Sequence, residues 1–99
     1  MSMELNIPRE YRSDIERATN LLKKEGCKEV FLFGSMVTGN VHLDSDIDIG
    51  IMGLPPKKFF SVYAHLDKEI PNKVDLVDFD SRKDFYALLN GLGEVVKIG

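Results

Sequence analysis

Gly34-Ser35 and, after ten intervening residues, Asp46-Ile47-Asp48 are the residues of this 99-residue chain whose types and spacing suit chemistry. Two aspartates at i and i+2 of an extended strand project from one face with Cβ atoms roughly 6 to 7 Å apart, so both carboxylates can converge on one hard cation. A Gly-Ser step directly after Val30-Phe31-Leu32-Phe33 offers free backbone N–H groups, a hydroxyl and close backbone approach, which is what a polyphosphate needs. One half suits a metal ion and the other suits phosphate. Together they read as part of a metal-dependent phosphoryl-transfer site.

A third carboxylate, Asp75, lies in Val74-Asp75-Leu76-Val77, with Asp78 and Asp80 close behind it. A slip of one residue in strand register would turn a different set of side chains to the site, and Asp75 is preferred because 78 and 80 fall where the strand should be ending. Carboxylates about 4 Å apart repel by roughly 4 kcal/mol per pair at an effective dielectric of 20, so such a cluster calls for cations or protons. Aspartate is depleted in strands, and two on one central strand need a reason beyond making a polar face. Ser35 after a glycine can also cap a following turn, and both roles are compatible.

These side chains require a scaffold, and the chain supplies its pattern. Pro8 stands where a first helical turn would begin, and Tyr11, Ile15, Ala18 and Leu22 mark one apolar face of a helix that Gly26 can terminate. Val30 to Phe33 has no polar face and reads as a central strand covered on both sides. Residues 35 to 39 suit a short helical turn, and Asn40 to Ser45 a loop returning to the sheet. In Asp46 to Ile51 the isoleucines alternate with carboxylates and glycine, giving one apolar face and one face for chemistry.

Gly53 and Pro55-Pro56 end that strand, and Phe59, Val62, Tyr63, Leu66 and Ile70 give a second amphipathic helix closed by Pro71. Lys73 to Phe79 is a third strand. Ser81 with Asp84 resembles a capping pair for a third helix through Leu89, with Phe85, Leu88 and Leu89 as its stripe and Gly91 and Gly93 as its stop. Val95 to Ile98 makes a short last strand. The order helix, strand, strand, helix, strand, helix, strand is an α/β (α+β) pattern without repeats or low-complexity linkers, expected as one domain over residues 1–99.

Composition narrows the function. Charged residues at 29% and hydrophobic residues at 43% describe an ordinary globular chain. A formal charge of -3 argues against nucleic acid as a partner, because such binding draws on several lysines or arginines. The longest apolar run is far short of a membrane span and Glu4 interrupts any signal-peptide pattern, so a cytoplasmic protein is expected, with no membrane partner. Cys27, with only His42 and His65 elsewhere, fits no zinc-ligand spacing and reads as core packing. His42 reads as a solvated loop residue, and Lys57-Lys58 and Arg82-Lys83 as solvated helix-start residues.

The strand ending in Gly34-Ser35, the pair Asp46 and Asp48 preceded by Ser45, and the later Asp75 resemble the minimal nucleotidyltransferases of the DNA polymerase β-like superfamily. The ten-residue spacing is similar to that of antitoxins encoded beside HEPN-domain toxins, which transfer AMP from ATP onto a tyrosine of the toxin. The resemblance implies a small mixed β-sheet of about four strands flanked by helices. It also implies Mg²⁺, two ions, at Asp46, Asp48 and Asp75, and ATP as nucleotide donor. Gly34, Ser35, Gly39 and Ser45 then fall on the phosphate side, and Asp75 on the side of the acceptor hydroxyl, as metal ligand or general base. Larger relatives hold their acceptor with further domains, so here a HEPN-type protein partner is expected to bring the hydroxyl.

Many relatives carry arginines between the two glycines, where this chain has Met36, Val37 and Thr38. That departure keeps a second class of reading open, a non-catalytic nucleotide- or metal-binding antitoxin that neutralises its partner by binding. A third, modification of a small-molecule hydroxyl, requires a homodimeric cleft to build the acceptor pocket.

Overall fold

The computed structural model describes residues 7–41 and 45–99. Pro8 is the N-cap of α1 (Arg9–Lys24), and Tyr11, Ile15, Ala18 and Leu22 are buried along one stripe as their spacing predicts. Asp14 is buried beside them. β1 (Glu29–Phe33) is apolar on both faces, and its last four residues are buried. Behind it come α2 (Ser35–Thr38), β2 (Ile47–Met52), a 3-10 turn at Pro56–Lys58, α3 (Phe59–Glu69), β3 (Val74–Asp78), α4 (Lys83–Leu92) and β4 (Val95–Lys97). Residues 42–44, His42 among them, of the loop expected from Asn40 to Ser45 lie outside the described residues.

The four strands form one mixed sheet in the order β3-β2-β1-β4. β1 runs antiparallel to both neighbours, while β2 and β3 are parallel and are joined through α3. A parallel pair needs such a crossover, and the helix it supplies covers one face. On that face Val30, Leu32, Ile47, Ile49, Ile51, Val74 and Leu76 pack with Leu22, Met36, Val62 and Leu66 in an aliphatic core. Cys27 is buried in the same core, as expected.

The opposite face is aromatic. Phe79, fully buried, stands 5.6 Å from the rings of Phe31 and Phe33 and 5.2 Å from Tyr86. Gly50 makes this possible, since a Cβ there would overlap the Phe79 ring. α4 covers this cluster with Phe85, Tyr86 and Leu89.

Helix α4 departs from the expectation at its start. Its N-cap is Arg82, without a side-chain capping bond. Ser81 Oγ instead donates to the Asp78 carbonyl at 3.1 Å, and Asp84 Oδ1 accepts the Phe85 N–H at 2.9 Å. The Asp78 carbonyl also takes the N–H groups of Ser81 and Arg82, so Ser81 belongs to the turn leaving β3 and the helix begins after it. Gly91 lies within the helix and Gly93, left-handed, closes it. Leu88 is 59% exposed, rotated to the flank of a stripe centred on Phe85, Tyr86 and Leu89.

Candidate active site

β2 positions the first two carboxylates. Ile47, Ile49 and Ile51 are completely buried in the aliphatic core. The period of two therefore turns Asp48 to the other face, and Asp46, just ahead of the strand, to the same side. The parallel register sets Asp48 opposite Asp75. Val74 and Leu76, both buried, hold β3 in that sense, and Asp75 shares the face of Asp48. Asp78 and Asp80 serve elsewhere: Asp78 Oδ1 accepts the Asp80 N–H at 2.9 Å, and Asp80 Oδ2 accepts the Gly53 N–H at 2.7 Å. They build the turn after β3.

The glycine-serine corner meets the carboxylates directly. β1 pairs Phe33 with Asp48, and Gly34 follows with φ 73° and ψ -146°. A Cβ at Gly34 would overlap Asp48 Oδ2, so only glycine lets the chain pass this close to the carboxylate. The Gly34 carbonyl then accepts the N–H groups of Val37 and Thr38, each at 3.0 Å, forming α2. Buried Met36 seats the turn in the core. Gly39 closes it in the left-handed conformation, donating its N–H to the Ser35 carbonyl at 2.9 Å. The first N–H groups of such a turn have no partner within it. Ser35 sits at that end, partly exposed, and Ser45 lies one residue before Asp46.

Burial and neighbouring charge both act on Asp48. The Asp48 carboxyl is pushed up to about 6, first by burial, then by the charge of Asp75, then by that of Asp46. Two neighbours hold the flanking carboxylates. Tyr63 of α3 donates its hydroxyl to Asp75 Oδ1 at 3.1 Å, and the Lys73 ammonium lies 4.0 Å from Asp46 Oδ2. The Tyr63 hydroxyl is itself raised, chiefly by burial, with Asp75 adding to the shift and the Leu76 backbone N–H opposing it. The phenol thus stays a neutral donor.

Neither Tyr63 nor Lys73 was evident as a site residue in the sequence. Tyr63 falls on the apolar stripe of its helix; the available signal was only that a packed tyrosine must find a partner for its hydroxyl.

A hard divalent cation fits this donor set, which is carboxylate oxygen throughout, with Asp48 set beside Asp75 by the strand register. Among the described residues, no three acidic, histidine or cysteine side chains already stand within common reach of one ion. That arrangement is compatible with Mg²⁺, which takes one or two protein carboxylates and completes its shell with water and substrate phosphate. An open groove of about 380 Å³ runs between the start of α3 and the end of β3, lined by Pro56, Phe60, Val77, Asp78 and Arg82 among others, and does not include Asp46, Asp48 or Asp75.

Residues 16–91 match the family described as polymerase beta, nucleotidyltransferase. No curated protein sequence matches the chain. Among solved structures, a toxin–antitoxin complex with AMP-PNP is similar at 29% identity, with a TM-score of 0.56 over 75% of this chain and 60% of that one. A mutant of the toxin–antitoxin pair MntA-HpeT is similar at 27% identity, with a TM-score of 0.55 over 67% of this chain and 57% of that one. A tri-AMPylated Shewanella oneidensis HEPN toxin in complex with MNT antitoxin shares the fold, at 24% identity and a TM-score of 0.53 over 71% of this chain and 56% of that one. The match thus spans less than two thirds of each of these chains.

Proposed function

Since the chain belongs to the polymerase β nucleotidyltransferase family, we propose that it moves AMP from ATP onto a hydroxyl of a HEPN-type protein partner and thereby neutralises that partner. The observation that carries this reading is the register of Asp48 beside Asp75, with the Asp48 carboxylate against the Cα of Gly34. A site for hard cations and a corner for phosphate occupy one place. The similar complex with AMP-PNP, a toxin–antitoxin pair, supports both the nucleotide and the protein partner.

In this reading Asp46, Asp48 and Asp75 would between them hold two Mg²⁺ ions, which would supply Lewis-acid stabilisation of the phosphoryl oxygens and of the leaving pyrophosphate. Gly34 and Ser35 bring backbone N–H groups and a hydroxyl to the β and γ phosphates, Gly39 fixes the shape of that turn, and Ser45 leads into the acidic pair. Asp75, exposed and at the sheet edge, faces the incoming acceptor and can take its proton. Tyr63 keeps one oxygen of that carboxylate occupied and so orients the other. The partner brings the acceptor hydroxyl. No helix among the described residues is long and apolar enough to cross a membrane, and the setting we infer is the cytoplasm.

The test is incubation with labelled ATP, Mg²⁺ and the HEPN-type neighbour. Label on a partner hydroxyl is expected, and its absence where a positive control reacts would overturn the transferase reading for that pair. The absence of arginine from Met36, Val37 and Thr38 favours one rival, neutralisation by binding alone. If a variant with both Asp46→Asn and Asp48→Asn still protects cells from the partner, binding is the mechanism.

A further inference from the structure

α1 carries an anomaly on its packed face. Asp14 is 6% exposed and is the sole charged side chain buried among the described residues. Buried carboxylates are normally paired with a cation, and none of the described residues forms an ion pair with this one. Its oxygen Oδ2 instead accepts two hydrogen bonds from Asn72, 2.8 Å from the side-chain Nδ2 and 3.3 Å from the backbone N. Helix packing alone would be served by an aliphatic residue, as at Ile15 and Leu22.

Asn72 stands at the entry to β3, three residues before Asp75. Its neighbour Lys73 accepts the Ile47 N–H on its carbonyl at 2.9 Å, the first rung between β3 and β2, and reaches Asp46 with its ammonium. Asp48 faces Asp75 in the pair directly after Ile47 and Val74. β3 is an edge strand, paired on one side only, and Asp75 is its second residue. Ends of edge strands fray, and buried Val74 and Leu76 determine which face Asp75 takes more firmly than where it stops along the strand.

We propose that Asp14 is a positioning residue of the site, its buried carboxylate clamping Asn72 so that the entry of β3 is fixed and Asp75 is held level with Asp48. This rests on the assignment of Asp75 under the proposed function. The clamp acts through Asn72 and Lys73 and touches no reacting atom.

The experiment compares Asp14→Asn, Asp14→Leu and Asn72→Ala in the full chain, by amide hydrogen exchange, thermal unfolding and steady-state transfer to the HEPN-type partner. Asp14→Asn keeps an oxygen for the Asn72 amide and should behave as wild type. Asp14→Leu and Asn72→Ala should speed exchange at the Ile47 amide by about tenfold or more while Leu32, mid-sheet, keeps its protection. They should also lower kcat by about ten- to a hundredfold with KM for ATP unchanged, the effect of a carboxylate misplaced by about an ångström. Asn72→Ala lies outside helix and core and decides the matter if Asp14→Leu does not fold. Unchanged Ile47 exchange in Asn72→Ala, or a kcat loss as large in Asp14→Asn, overturns the clamp. If wild type transfers nothing, the transferase reading falls while the exchange measurement still decides the clamp.

Discussion

The two faces of β2 are built from the same six-residue strand yet follow opposite rules. On one side Ile47, Ile49 and Ile51 lie at zero exposure under α1 and α3. On the other, Asp48 shares a face with Gly50 and Met52, beside an aromatic cluster that α4 covers. The first face is closed, aliphatic and without titratable groups on the strand. The second keeps a half-buried carboxylate that burial and its neighbours hold above its ordinary range. Both faces carry a core, but only the second also carries a carboxylate of the strand, at the end of the sheet beside Gly34.

The strongest way to test that division is Asp48→Asn. Transfer should fall by about a thousandfold or more, because several kcal/mol of transition-state stabilisation are removed. The fold should gain. Burial, with the charges of Asp75 and Asp46, pushes the Asp48 carboxyl up to about 6, against an ordinary aspartate value of about 4. Between those values the native state holds a proton that the unfolded chain has released, so this contribution to stability is fully present below about pH 4, declines as pH rises from about 4 to about 6, and is absent above that. At pH 7 the variant should be more stable by about 1 to 3 kcal/mol, the upper figure being the unscreened shift. That advantage should vanish near pH 4. Denaturant melts across this range check it, and a variant less stable than wild type at pH 7 would contradict the division.

Ile49→Ala makes the opposite cut. Emptying a fully buried site should cost about 2 to 5 kcal/mol and lower Tm by roughly ten degrees or more in a chain of this size. KM for ATP in the folded fraction should be unchanged. A large KM change would show that the two faces are coupled.

Gly34→Ala tests the junction between them. Its φ of 73° with ψ of -146° is glycine territory, and a Cβ would press on Asp48 Oδ2. A loss of about 1 to 3 kcal/mol is expected, together with a fall in transfer. Leu88→Ser, on the exposed flank of α4, should shift stability by less than about 0.5 kcal/mol and leave transfer intact.

Much of this was readable from the chain because the signals were periodic. Alternation of isoleucine and aspartate put Asp46 and Asp48 on one face, and the unbroken run at Val30–Phe33 identified a covered strand. Asp75 was preferred over Asp78 and Asp80 because those two fall where the strand should be ending, and the structure ends β3 at Asp78, with Val74 and Leu76 on the buried side. What escaped depends on contacts distant in sequence. The strand order, the reach of Tyr63 to Asp75 and the bond from Asp14 to Asn72 are set by packing between elements, and periodicity carries no trace of them. Leu88 was misassigned because either neighbour of the Phe85–Leu89 line could complete the stripe, and packing against Phe79 selects Tyr86.

The contact between Gly34 and Asp48 Oδ2 ties together two positions that sequence comparison would score separately. A descendant that abandoned its carboxylate at 48 would also lift the steric ban at 34, leaving only the backbone angle to select glycine. Drift at these two sites should therefore be correlated, a side chain at 34 being better tolerated wherever the carboxylate at 48 is gone.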